Sequence, residues 1–282
     1  MISYGGFPHL ALDNSVLRDE ERISQAVSFA KEHGTYLLVP QVALSELMKG
    51  KRGEESLERG LGNLARHDPN LFTVTKPLGL MMKDEATHHR PVFAIAAHEE
   101  TFLFRDLLAE IADGNSRPLN GLFASMTDEE RERERMSLEV RGKETMKVYR
   151  SAIDQLGVLS PELLRRLRSG DELAFSEVLF GPTLIEMVTT AVQKAGLSEA
   201  HSDILRVPSI NGLVVLLQAT WALDWFAKGG YEATPDHRFT NDGADMEPVL
   251  YALLGQDLVI HDGKARRLYE VLRNRLVRSR AA

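Results

Sequence analysis

Apolar and polar positions follow two rhythms along the chain. Near the start, HLALD and TYLLVP are short apolar runs with the Leu and Val content of buried strands. Between them, DEERISQAVSFAKEHG puts Ile23, Ala26, Val27 and Ala30 on one helical face, and Gly34 supplies the stop. After Pro40, VALSELMKG predicts a second helix, and LFTVT predicts a third strand. Strand, helix, strand, helix is the rhythm of a parallel α/β sheet.

From about residue 85 to 235 the pattern is helical only. MTDEERERERMSLEVRGKETMKVYR opens with Thr127 and Glu130 at capping-box spacing, and its dense charge reads as a solvated helix face. LSPELLRRL offers Ser160 as an N-cap with Pro161 in the first turn. Trp221, Trp225 and Phe226 recur at helical spacing and read as core. AKGGYEATPDHRFTNDGADM then reads as a polar, glycine-containing loop. Beyond it, MEPVLYALLG predicts a helix, DLVIHD a strand and GKARRLYEVLRNRLVRSR an amphipathic helix. The expected organisation is an α/β domain made of residues 1–84 and 236–282, around an all-helical insertion over 85–235.

Composition narrows the chemistry. The 282 residues include no cysteine, so disulfides and thiolate ligands are excluded. Any metal falls to carboxylate, imidazole, carbonyl or water, which suits hard cations. A net charge of −7 argues against a protein that simply coats nucleic acid. A local basic patch could still meet phosphates: Lys264, Arg266, Arg267, Arg273, Arg275, Arg278 and Arg280 are opposed only by Glu270. The longest apolar passage, GLVVLLQATWALDWF, is interrupted by Gln218, Thr220 and Asp224, and the start of the chain lacks a secretory pattern. A soluble cytoplasmic protein with no membrane contact is expected.

The carboxylates carry the functional reading. In an open parallel sheet the active crevice lies outside the carboxyl ends of the strands. Asp13 ends the strand HLAL, and Asp262 ends the strand LVIH. Glu46 sits in the helix entered after YLLVP, and Asp242 and Asp245 sit at the start of the helix that leads into the last strand. Pro248 fits the first turn of a helix, which predicts a start near Asp245 and leaves Asp242 on the approaching loop. Singly, each acid has an ordinary role as turn former, cap or exposed helix residue. Gathered on one rim they repel one another, and a bound divalent cation removes that penalty.

LALDNSVL, VPQVALSELMKG, FTNDGADMEPVLYAL and DLVIHDGKARRLYEVL resemble, in order, the four acidic motifs of the PIN-domain nucleases, a group that includes bacterial toxin ribonucleases. The resemblance covers roughly the first 80 and the last 45 residues. It implies a PIN-like three-layer fold with a central parallel sheet, interrupted by a large helical insertion. It further implies that Asp13, Glu46, Asp242 or Asp245, and Asp262 hold Mg²⁺ or Mn²⁺ for hydrolysis of single-stranded RNA. Such an ion keeps several waters, activates water for in-line attack and stabilises the leaving oxygen. Ser15, Lys264 and Arg266 are the candidates for substrate contact, with Arg267 beside them and Ser15 at the position that orients the first acid. The partners implied are RNA and an antitoxin or other protein, with a homodimer left open. Asn14 departs from the small Thr or Ser usual after the first acid.

Two rival readings stand beside this one. A haloacid-dehalogenase-like phosphatase also begins with a strand-end aspartate, but needs a second acid where this chain has Ser15. A catalytically inactive PIN-like scaffold whose helical insertion binds a protein partner is the stronger alternative. His98 in AAHEETFLF lacks the second histidine of a zinc-protease helix, His88 and His89 are adjacent and point apart, and no phosphate-cradling glycine loop occurs.

Overall fold

The computed structural model describes residues 9–48, 52–92, 95–115, 160–198, 209–228, 236–254, 257–260 and 262–281, with single positions at 143, 147, 150 and 151. These divide into two compact units. The first falls within Met1–Leu78, Phe93–Ser137 and Glu247–Arg266, the second within Gly79–Val92, Leu138–Met246 and Arg267–Ala282. Thr127 and Glu130, and the side chains of Arg275, Arg278 and Arg280, lie outside the described residues.

The first unit is an α/β fold on a four-stranded parallel sheet. Its strands are β1 (His9–Leu12), β2 (Tyr36–Val39), β3 (Phe72–Val74) and β4 (Asp257–Val259), in the order β3-β2-β1-β4. Leu10 pairs with Leu37 on one side and Asp257 on the other, and Leu37 pairs with Phe72. All four residues of β1 are buried, as expected where both faces of a parallel sheet are covered.

Helices join and cover these strands: α1 (Asn14–Leu17) and α2 (Glu20–His33) after β1, then α3 (Gln41–Leu47) and α4 (Gly53–Ala65) after β2. Helix α2 buries Ile23, Ala26, Val27 and Ala30, the predicted stripe. It ends on Gly34 at φ 61°, a left-handed position that suits glycine. Leu57, Leu61 and Leu64 of α4 complete one core with Leu12, Val39 and Phe72. Next in the chain come α5 (Leu78–His88) and α6 (His98–Ala112). Phe104 and Leu108 of α6 join the same core, so this helix of the expected insertion packs within the first unit.

The second unit is helical. Its described helices include α7 (Pro161–Arg168), α8 (Glu172–Leu179), α9 (Pro182–Lys194) and α10 (Ile210–Ala227). Ser160 caps α7, accepting from the Leu163 N–H at 3.2 Å, with Pro161 in the first turn as its sequence predicts. Leu184, Val188 and Val192 form a buried stripe on α9, which packs on α10. Helix α10 is apolar and long enough to cross a membrane, and 61% of it is buried inside the fold, the state of a central core helix. Trp221 is fully buried, whereas Trp225 and Phe226 are half-buried.

The entry to α10 is capped from a distance. Glu85 of α5 is completely buried. Its Oε1 accepts the N–H groups of Ile210 at 2.7 Å and Val92 at 3.1 Å. Its Oε2 accepts the backbone N–H of Asn211 at 3.0 Å and the Asn211 side-chain amide at 2.9 Å. A carboxylate placed there satisfies orphan donors of a helix N-terminus and lies at the positive end of its dipole.

The helix before β4 corrects a sequence expectation. Helix α11 runs over Asp236–Leu254, so Asp236–Met246 is helical where a loop was expected. Pro248 lies inside α11, and both Asp242 and Asp245 are helical residues. A proline inside a helix costs one N–H bond and about 3 kcal/mol. The buried run Val249 to Leu254 that follows shows what offsets this cost, because packing of the apolar face dominates helix stability. Helix α12 (Gly263–Ala281) closes the described chain.

Candidate functional site

Strand β1 delivers Asp13 at its carboxyl end. The Asp13 N–H extends the sheet ladder by donating to the Val259 carbonyl at 3.1 Å. Its side chain then caps α1: Oδ2 accepts from the Ser15 N–H at 3.1 Å and also from the Ser15 hydroxyl. Ser15 therefore orients the acid, the second of the two roles its position suggested. Asp13 is 3% exposed, and its other oxygen, Oδ1, is buried without a hydrogen-bond partner. Buried polar atoms without a partner are rare in folded proteins, which sets this oxygen apart.

Glu46 reaches the same turn from β2. The strand passes through Pro40 into α3, where Glu46 is 6% exposed. Asn14 donates its side-chain amide to Glu46 Oε2, and Arg18 donates to the Glu46 carbonyl at 3.5 Å. The two residues that follow Asp13 thus engage both acids, Asn14 binding Glu46 and Ser15 binding Asp13.

Asp262 leaves the adjacent strand. Leu12 stands opposite Val259, so Asp13 is level with Ile260 and Asp262 follows two residues later. From β1 the chain proceeds to β2 on one side and returns through β4 on the other. The carboxyl ends of β1 and β4 therefore form a topological switch point, where open α/β sheets place their ligand sites. Asp262 is exposed, and its Oδ1 caps α12 by accepting the Ala265 N–H at 2.7 Å.

The other expected residues have separate engagements. Asp242 is 6% exposed and lies in the second unit, where its Oδ2 accepts the Trp225 indole N–H. Asp245 is half-buried in the same unit. Arg266 donates to the Leu258 carbonyl of β4, so its guanidinium is engaged within the fold where a phosphate contact was expected. Arg267 pairs with buried Asp224, which also binds Lys228 at 2.9 Å. Lys264 is half-buried in the first turn of α12. His88, His89 and His98 are all exposed.

Among the described residues, no three His, Asp or Glu side chains form a group that could hold a metal ion. What the structure brings together is the pair Asp13 and Glu46, through one turn. A groove of about 220 Å³ lined by Leu10, Ala26, Phe29 and Leu258, among others, contains none of the candidate acids. Sequence reasoning noted Asn14 only as a departure and missed its bond to Glu46. It also missed the Trp225–Asp242 bond and the Glu85 cap, which join residues remote in sequence and carry no local signal. No family model, curated protein or solved structure matches the chain.

Proposed function

We propose that this chain is a cytoplasmic PIN-like endoribonuclease that hydrolyses single-stranded RNA with Mg²⁺ or Mn²⁺. The observation that carries the reading is Asp13: a carboxylate buried at a topological switch point, with one oxygen held by Ser15 and the other without a partner. Asp262 beyond the neighbouring strand and Glu46 across the Asn14 bond support it.

In this reading Asp13 is the acid that would bind the cation, because Asp13, Glu46 and Asp262 do not form a three-residue group that could hold one. When bound, the ion supplies Lewis acidity toward the phosphodiester. Ser15 holds Oδ2 of Asp13 and would leave Oδ1 for the ion, and Lys264 would contribute positive charge toward the RNA backbone. Asp242 already serves Trp225 and is left out of the proposed ligand set.

A calorimetric Mn²⁺ titration of wild type, Asp13→Asn and Asp262→Asn tests the proposal, followed by cleavage of labelled single-stranded RNA with and without chelator. The expected result is binding that both variants weaken by more than the roughly 10–100-fold typical of outer-shell changes. RNA cleavage should fall in parallel, with circular dichroism unchanged. A wild type that binds no Mn²⁺ overturns the reading. It would favour the second one, an inactive PIN-like scaffold whose helices bind a protein partner such as an antitoxin. Two observations favour that alternative: the lack of a three-residue ligand group among the described residues, and the internal engagement of Arg266 and Arg267.

A further inference from the structure

We propose that Arg22 and Arg266 are stoppers on the outer edge of β4, holding its carbonyls so that a second copy of this chain cannot add its own β4 there. This closure is independent of the nuclease reading and gives Arg266 a task within the fold where phosphate contact was expected.

The register shows which backbone groups are at stake. The Asp13 N–H donates to the Val259 carbonyl, so Val259 turns that carbonyl toward β1. Successive residues of a strand face opposite neighbours, so the carbonyls of Leu258 and Ile260 point away from β1. Each of them meets a guanidinium: Arg266 donates to Leu258, and Arg22 donates to Ile260 at 3.5 Å. The two arginines come from different helices, α12 and α2, and converge on alternate carbonyls of one strand.

The other end of the sheet is closed in a related way. The Thr75 N–H donates to the Val39 carbonyl at 3.2 Å, which turns the backbone groups of Phe72 and Val74 outward from β3. Arg105 of α6 donates through Nε to the Phe72 carbonyl at 2.9 Å, and Thr101 Oγ1 accepts the Val74 N–H at 3.0 Å. The Val74 carbonyl accepts the Ala97 N–H at 2.9 Å. Backbone and side chains together thus seal β3. Among the described residues no strand follows β4 in the sheet, and the guanidinium pair covers that edge.

An uncovered edge strand is a template for pairing with another chain. The risk is concentrated at β4, because the groove lined by Leu10, Ala26, Phe29 and Leu258 would seat the apolar side chains of an added strand. A second copy is the intruder with the right groups: two β4 edges related by a two-fold axis would pair antiparallel, each meeting the same groups on the other. The Leu258 carbonyl that Arg266 holds is one that such a pairing would need.

Light-scattering mass after size exclusion, over a range of concentrations of the full chain, tests the proposal. Wild type should keep one mass throughout. The double variant Arg22→Ala, Arg266→Ala should rise toward twice that mass, and its hydrogen exchange over residues 257–260 should slow as concentration rises. Arg105→Ala should keep the wild-type mass, because the Ala97 and Thr101 bonds still cover β3. If the alanine double variant does not fold by circular dichroism, the glutamine pair replaces it, since glutamine ends before the guanidinium nitrogens that bond here. A folded double variant that keeps the wild-type mass overturns the proposal, as does association that leaves residues 257–260 unprotected. Equal association of Arg105→Ala, or a wild type whose mass climbs with concentration, overturns it as well.

Discussion

Asp171 illustrates how a single carboxylate is tuned by the helix it starts. It caps α8, accepting the Ala174 N–H at 3.0 Å, and pairs with Arg166 at 2.7 Å. The Ala174 N–H first, and then the Arg166 guanidinium, hold its pKa below the ordinary aspartate value. A depressed carboxylate pKa contributes stability that is present above the unfolded value, near about 3.9, and is lost as pH falls through the lower folded value. Asp171→Asn should therefore melt below wild type at pH 7, and the two curves should converge in strong acid. Thermal melts from pH 7 downward check this, and a gap that persists at the lowest pH would assign the effect to packing. Asp13 and Glu46 were legible as strand-end acids because β1 and β2 end where the apolar runs end. The partners of Asp13 were half legible, since Ser15 is local. The Asn14 bond was not, because it depends on where α3 lies in space.

Helix α4 makes a prediction with its own control. A Cβ on Gly53 would stand 2.1 Å from the Met48 carbonyl oxygen, and backbone has no easy way to yield. Gly53→Ala should cost about 2 kcal/mol or more, read from urea unfolding midpoints. A Cβ on Gly62 in the same helix meets nothing within 4 Å. Gly62→Ala should gain about 0.5–1 kcal/mol. Opposite signs would tie the first effect to steric contact, whereas two gains would show that the end of α3 can move. Elements with regular apolar periodicity, such as α2 and the four strands, were readable in advance. The start of α11 was not, because glycines, polar residues and Pro248 all argued for a loop, while burial of Val249 to Leu254 decided for a helix.

At the scale of the molecule, the two units should respond separately to damage in one of them. Removing the Glu85 carboxylate leaves the Ile210, Asn211 and Val92 donors unmatched inside the second unit. Glu85→Ala should cost at least about 3 kcal/mol there, given the cost of each unpaired buried donor. Hydrogen exchange should quicken at residues 92 and 210–213, while Leu37 and Leu38 in β2 keep their protection; uniform loss would show that the units melt as one. The sheet of the first unit has a further property. Its strand β1 comes from near the start of the chain and β4 from near its end, and the two are neighbours. During synthesis at roughly 5–20 residues per second, β1 waits tens of seconds for that neighbour. One side of the nascent sheet stays unpaired throughout, a natural place for a chaperone to act. On the proposed reading, Asp262 reaches the sheet rim of Asp13 only after the intervening helices have been made, so the two acids cannot act together before then.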